Sequence, residues 1–132
     1  MTKTFINPPT LGSPPGYSHV VTVEGGRLII LAGQVSLDAK NKLVGKGDLA
    51  AQTRQVFENI GLALHAAGAS FRDVIKLTYF VVDYKPEYRE TIVAVRDQYV
   101  AVENPPASTL LGVQALATPD FLIEIEATAF VG

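Results

Sequence analysis

The last third of the chain, from Asn104 to Phe130, constrains the fold more than any other stretch. Pro105-Pro106 cannot lie inside a helix and holds the preceding residue extended. The run Ala107-Ser108-Thr109-Leu110-Leu111 follows, then a loop punctuated by Pro119-Asp120. From Leu122 to Ala129 apolar and polar residues alternate with a period of two, the pattern of a half-buried strand. Ile123, Ile125, Ala127 and Ala129 then share one face, and Glu124, Glu126 and Thr128 the other. The two carboxylates lie roughly 6–7 Å apart, from a rise of about 3.3 Å per residue. So placed, they form either a solvated outer face, where charged side chains mostly sit, or a source of acid–base chemistry.

The 132 residues are expected to make one domain, 1–132, large enough to bury a core. Hydrophobic content of 48% with 18% charged residues describes an ordinary globular protein. A net charge of −2 gives no electrostatic footprint for nucleic acid or an anionic membrane. Cysteine is absent, which excludes disulfides, thiolate catalysis and Cys-ligated zinc. MTKTFINPPT has no apolar signal core, and no run is long enough to span a bilayer. A soluble, cytoplasmic protein is expected.

Taken in order, residues 1–16 hold four prolines and two glycines and read as an irregular arm along the body. Val20–Val23 and Leu28–Leu31 flank Glu24-Gly25-Gly26-Arg27, a strong hairpin signal because both glycines can take positive φ. The second strand runs into Gly33-Gln34, where glycine permits close approach to the backbone. Asp48 is the expected N-cap of a helix that stops at Gly68, with Leu49, Thr53, Val56, Phe57, Ile60, Leu64 and Ala67 along one stripe. Val74–Val82, β-branched and aromatic, reads as a central strand. Pro86 opens a second helix whose buried stripe is Tyr88, Ile92, Val95 and Tyr99, and Asn104 ends it. The order β-β-α-β-α-β-β predicts an α+β fold, a mixed sheet with both helices on one face. The other face must meet something else, and its apolar remainder favours a partner.

Four stretches together resemble the Rid family, the reactive-intermediate deaminases also called RidA or YjgF. They are Pro15-Gly16-Tyr17-Ser18-His19, Leu31-Ala32-Gly33-Gln34-Val35, the segment Asp48 to Gly68 and the C-terminal block. In register, they cover Pro14 to Phe130. The resemblance implies a chorismate-mutase-like fold assembled as a homotrimer. The sheets form a central barrel, and small-metabolite sites lie in the clefts between subunits. It implies hydrolysis of 2-imino acids or their enamine tautomers to 2-keto acids and ammonia, with no metal or cofactor. On the same basis Glu124 positions the water and Tyr17 closes the pocket, while Gly33 and Thr109 hold the substrate through backbone groups. Gln34 and Ala107 complete the boundary.

Ala107 is a departure. Family deaminases carry arginine there, a planar fork that grips the substrate carboxylate bidentately, and alanine supplies nothing in exchange. Val93 similarly stands where relatives often have asparagine. The pattern is that of an arginine-lacking branch, and Arg96, Arg89, His19 and Lys76 are candidate substitute cations. Arg96 is taken as the substrate-binding one, against the plain reading of each as a surface charge. His19 and His65 are the only histidines, in different elements, and no Ser–His–Asp set accompanies them. The expected function is therefore hydrolysis of an imine or enamine whose carboxylate is absent or differently presented. The alternatives are a non-catalytic metabolite-binding or regulatory trimer and, third, an endoribonuclease or translation inhibitor, which needs a basic groove not visible here.

Overall fold

In the computed structural model, which describes residues 2–132, the elements are β1 (Thr2–Ile6), β2 (Val20–Glu24), β3 (Arg27–Ile30), α1 (Leu49–Ala66), β4 (Val74–Val82), α2 (Tyr88–Arg96), β5 (Ala107–Val113) and β6 (Ile123–Val131). The two nine-residue strands with the strongest apolar alternation, β4 and β6, lie side by side at the centre of a four-stranded sheet. Its order is β3-β6-β4-β5. The β4–β5 pair is parallel, and β6 runs antiparallel to both β4 and β3. On β6 the expected alternation holds: Ile123, Ile125, Ala127 and Ala129 are buried.

Both helices cover the same face, giving the expected mixed-sheet α+β architecture. Asp48 caps α1, its Oδ1 accepting from Ala51 N at 3.0 Å. Gly68, at φ 78°, ends the helix, with the Ala69 N–H returning to Leu64 O at 2.9 Å. The α1 stripe buries Val56, Phe57, Ile60 and Leu64, each contributing about 1.5–3 kcal/mol of hydrophobic burial. Phe57 joins the layers: its ring stacks on Tyr99, beyond α2, at 5.3 Å and meets Tyr79 of β4 edge-on at 6.3 Å.

Four local expectations change. The N-terminal arm is not irregular throughout, because Thr2–Ile6 pairs antiparallel with β2. The four prolines all lie between positions 8 and 15, so the first six residues were free to take an extended, alternating pattern. Gly25 and Gly26 do have positive φ, 58° and 138°, yet they do not close a hairpin. β2 pairs with β1 and β3 with β6. Gly26 is instead held by crowding: a Cβ there would stand 2.6 Å from the Phe130 ring and from Val131 O. Pro86 does not open α2 but sits in the preceding turn, where Tyr88 N–H bonds Lys85 O at 2.9 Å. The helix ends at Arg96, well before Asn104, which takes φ 53° in the connection to β5.

Candidate functional site

The sheet face turned away from the helices is uncovered and carries most of the expected site. Register places its side chains in rows. Phe80 stands between Glu124 and Leu111, Thr78 between Glu126 and Thr109, and Lys76 between Thr128 and Ala107. Lys76 is therefore the side chain directly beside Ala107, and its Nζ donates to Thr109 Oγ1 at 2.8 Å. Lys76 thus brings a cation to the strand beside Ala107 and ties it to Thr109.

Glu124 lies over Gly33. A Cβ built on Gly33 would stand 2.9 Å from the Glu124 Cδ and 3.0 Å from its Cγ, and would overlap Oε2 outright. Glycine leaves room for this placement of the carboxylate through space and not through backbone conformation, since Gly33 is not among the positive-φ glycines. Burial pushes the Glu124 carboxyl above the ordinary carboxylate range, and the like charge of Glu126 on the same face pushes it further. Gln34 continues the strand beside β6, exchanging backbone bonds with Ile125 at 2.9 and 3.1 Å, while its side chain returns to Ala32 O.

Tyr17 is carried by a loop pinned to the start of β5. Ser18, itself buried, bonds the Pro105 carbonyl through its hydroxyl and Pro106 O through its N–H at 3.1 Å. His19 is spent inside that loop: its Nε2 is 2.6 Å from Gly12 O and its ring meets Tyr17 edge-on at 5.4 Å. Tyr17 and Arg96 line one cavity of about 150 Å³, on the helix side of the sheet. Gly33 and Gln34 line a separate groove bounded by α1. Glu124 and Ala107 are two strands and two rows apart, roughly 16 Å at Cα. One chain therefore brings Glu124 together with Gly33 and Gln34, and Lys76 together with Ala107 and Thr109. It leaves Tyr17 and Arg96 in a cavity of their own. Among the described residues no three His, Asp or Glu side chains gather as a metal site requires.

The family described as endoribonuclease L-PSP matches residues 10–131. A solved structure of a Rid-family protein from Yersinia pestis, of unknown function, superposes with a TM-score of 0.88 at 43% identity, covering 99% of this chain and all of that one. The chain belongs to the Rid family. Among other members it is 40% identical over 108 residues to a RutC family protein of Pyrococcus horikoshii, 82% of each chain. To the 3-aminoacrylate deaminase RutC of Acinetobacter baylyi it is 36% identical over 132 residues, 99% of this chain and 100% of that one. The mixed sheet with two helices on one face is the architecture this Rid chain shares with its Yersinia relative. Among the described residues no helix is long and apolar enough to cross a membrane.

Two residues escaped the sequence reading. Gln52 lies on the buried stripe of α1 and Tyr79 on the buried face of β4. In sequence each passes for a helix-surface polar residue and a core aromatic, and only the tertiary surroundings give their polar atoms meaning.

Proposed function

We propose that this Rid protein hydrolyses a C=N bond, or the enamine tautomer, of a small metabolite in a cleft formed between subunits of a homotrimer. The observation that carries the reading is the Glu124 carboxylate, folded over Gly33 on an uncovered sheet face with its proton affinity raised. An imine carbon is already electrophilic, so the protein needs to position a water and handle protons. Glu124 orients the water and accepts one of its protons as the O–C bond forms. The proton passes to nitrogen to give a carbinolamine. The hydroxyl proton then moves through the same carboxylate to nitrogen, the C–O bond becomes a carbonyl as the C–N bond breaks, and a keto compound and ammonia leave. Such acid–base assistance typically contributes about 10²–10⁴-fold. The deamination of 3-aminoacrylate named for the Acinetobacter relative is of this enamine class. The subunit cleft is supported by the separation of the half-sites within one chain and by the apolar residues left on the uncovered face. In it Tyr17 closes the pocket, Gly33, Gln34 and Thr109 bound the substrate, and Lys76 supplies the charge that Ala107 cannot.

The test is semicarbazide competition with 2-iminopropanoate generated in situ, following diversion of imine to keto acid. Wild type is expected to be active. Glu124→Gln should lose about 10²-fold or more, and Gly33→Ala, which displaces the carboxylate, should lose activity with the fold intact. Lys76→Met should raise KM, and Ala107→Arg should rescue it. If wild type and Ala107→Arg are both inert, the catalytic reading is wrong and the trimer is a non-catalytic metabolite-binding protein.

A further inference from the structure

The segment that carries Gly33 is held from two sides, and only one of them belongs to the sheet. Beyond β3 the chain runs on beside β6: the Leu31 N–H donates to Ala127 O at 3.0 Å, and Gln34 and Ile125 exchange backbone bonds. Past that last bridge the chain no longer pairs with β6, and the Val35 and Leu37 carbonyls turn to α1 instead. Carbonyls without a strand partner need another one, and a helix flank can supply it only through side chains.

On α1 these are Gln55 and Asn59, one turn apart and both half-buried beside the apolar stripe. Asn59 Nδ2 donates to Val35 O at 3.1 Å and to Leu37 O at 2.9 Å, which uses both of its hydrogens. Its Oδ1 accepts from Gln55 Nε2 at 2.9 Å, the i, i+4 bond that a helix allows between carboxamides. Two carbonyls can be met only by the amino end of the amide, so the side chain has one orientation. Ser36, fully buried between the two carbonyls, donates its hydroxyl to Val44 O at 2.6 Å and closes the loop behind them. Gly33 stands two residues before Val35, and its contact with Glu124 is steric. Its position therefore depends on what holds the segment. The bonds to β6 fix register along the strand, and Asn59 fixes how the segment is seated across it.

We propose that Asn59 is a positioning residue for Glu124: from α1 it holds Val35 and Leu37, and through them it sets how closely Gly33 covers the carboxylate. Its part in hydrolysis rests on the reading of Glu124 as the group that orients water, whereas its effect on the carboxyl group does not. The other charges on that sheet face are Glu126 on the same strand and Lys76, two rows away on β4. β5 and the segment from Gly33 to Leu37 bring none. Asn59 makes its hydrogen bonds to neither Glu126 nor Lys76, so a change at Asn59 reaches Glu124 through the backbone of the segment.

The test follows the Glu124 carboxyl carbon by NMR as pH is varied, in the full chain, beside the semicarbazide assay. Asn59→Leu keeps the branched shape and removes both donors. With the segment loosened, water reaches the carboxylate, and the Glu124 titration should move down toward 4.5. Glu124 acts ionised, so the acid limb of kcat should move to lower pH with it. At the plateau kcat should fall about tenfold or more, the scale of a misplaced reacting group. Gln55→Ala, which frees Asn59 Oδ1, should move the titration the same way by less. Ile60→Val, a core truncation on the same helix, should lower the melting temperature and leave the titration unmoved, which separates positioning from general loss of stability. An unchanged Glu124 titration in Asn59→Leu overturns the proposal, as does an equal shift in Ile60→Val. The titration decides the positioning even where wild type hydrolyses no imine, an outcome that removes only the catalytic reading of Glu124.

Discussion

At the scale of the residue, the site rests on a spatial exclusion. Gly33 has no side chain, so the Glu124 carboxylate can fold over the backbone, partly withdrawn from water and beside the charge of Glu126. Both effects favour the neutral acid, which fixes the sign of its contribution to stability. The carboxyl titrates higher in the folded chain than its ordinary 4.5, so the folded state binds the extra proton in that window. Its stabilising contribution is complete below 4.5 and is lost as pH rises through the raised folded value. Glu124→Gln carries no such loss. The melting temperature of the variant should therefore rise relative to wild type as pH climbs from about 4, and the gap should become constant once Glu124 is ionised. A pH-independent gap would mean that Glu124 is no more buried in solution than an ordinary surface carboxylate.

At the scale of the element, one polar side chain ties α1 to the segment that leads into β6. Gln52 is fully buried and makes three bonds: Nε2 donates to Gly45 O at 3.1 Å and to Asp120 O at 2.9 Å, and Oε1 accepts from Leu122 N at 2.9 Å. It thereby sets where β6 begins and hence where Glu124 falls. Gln52→Ala leaves those three backbone groups without their partner and should cost about 3 kcal/mol, read as a lower urea midpoint with an unchanged slope. The element boundaries show how sequence reading works and where it stops. The caps of α1 were legible because Asp48 and Gly68 act on their immediate neighbours. The pairing of β2 and β3 was not, since a Gly-Gly turn offers a hairpin while the pairing is decided by which distant strand takes each edge. Gly26 packs closely on Phe130 and Val131 where β3 pairs with β6 instead.

At the scale of the whole molecule, the uncovered sheet face is the dominant feature. Leu28 and Ile30 are 54% and 75% exposed on it, beside the polar rows of β4, β5 and β6. Apolar residues so placed are expected to be covered by copies of the same chain. Light scattering should return three times the 14.1 kDa of the chain. Ile30→Asp should reduce this to the mass of one chain with unchanged far-UV circular dichroism and with loss of imine hydrolysis. A wild type that runs as a single chain, or an Ile30→Asp monomer that keeps full activity, would show that the site does not need a second subunit.

What the sequence by itself determined is what periodicity and local sterics control: the half-buried β6 with Glu124 on its polar face, the cap-to-cap extent of α1, the central β4 and the α+β class. The family was also legible, because its motifs are runs of neighbouring residues. Only the tertiary structure decided which of these residues meet. Strand order set Lys76 beside Ala107, a glycine sixteen residues before α1 made room for Glu124, and the seating of α2 beside α1 on the helix side of the sheet placed Arg96 with Tyr79 rather than with Thr109. The physical reason is that a strand's pattern fixes which face a side chain takes but not which neighbour the strand acquires. That choice belongs to long-range pairing and burial.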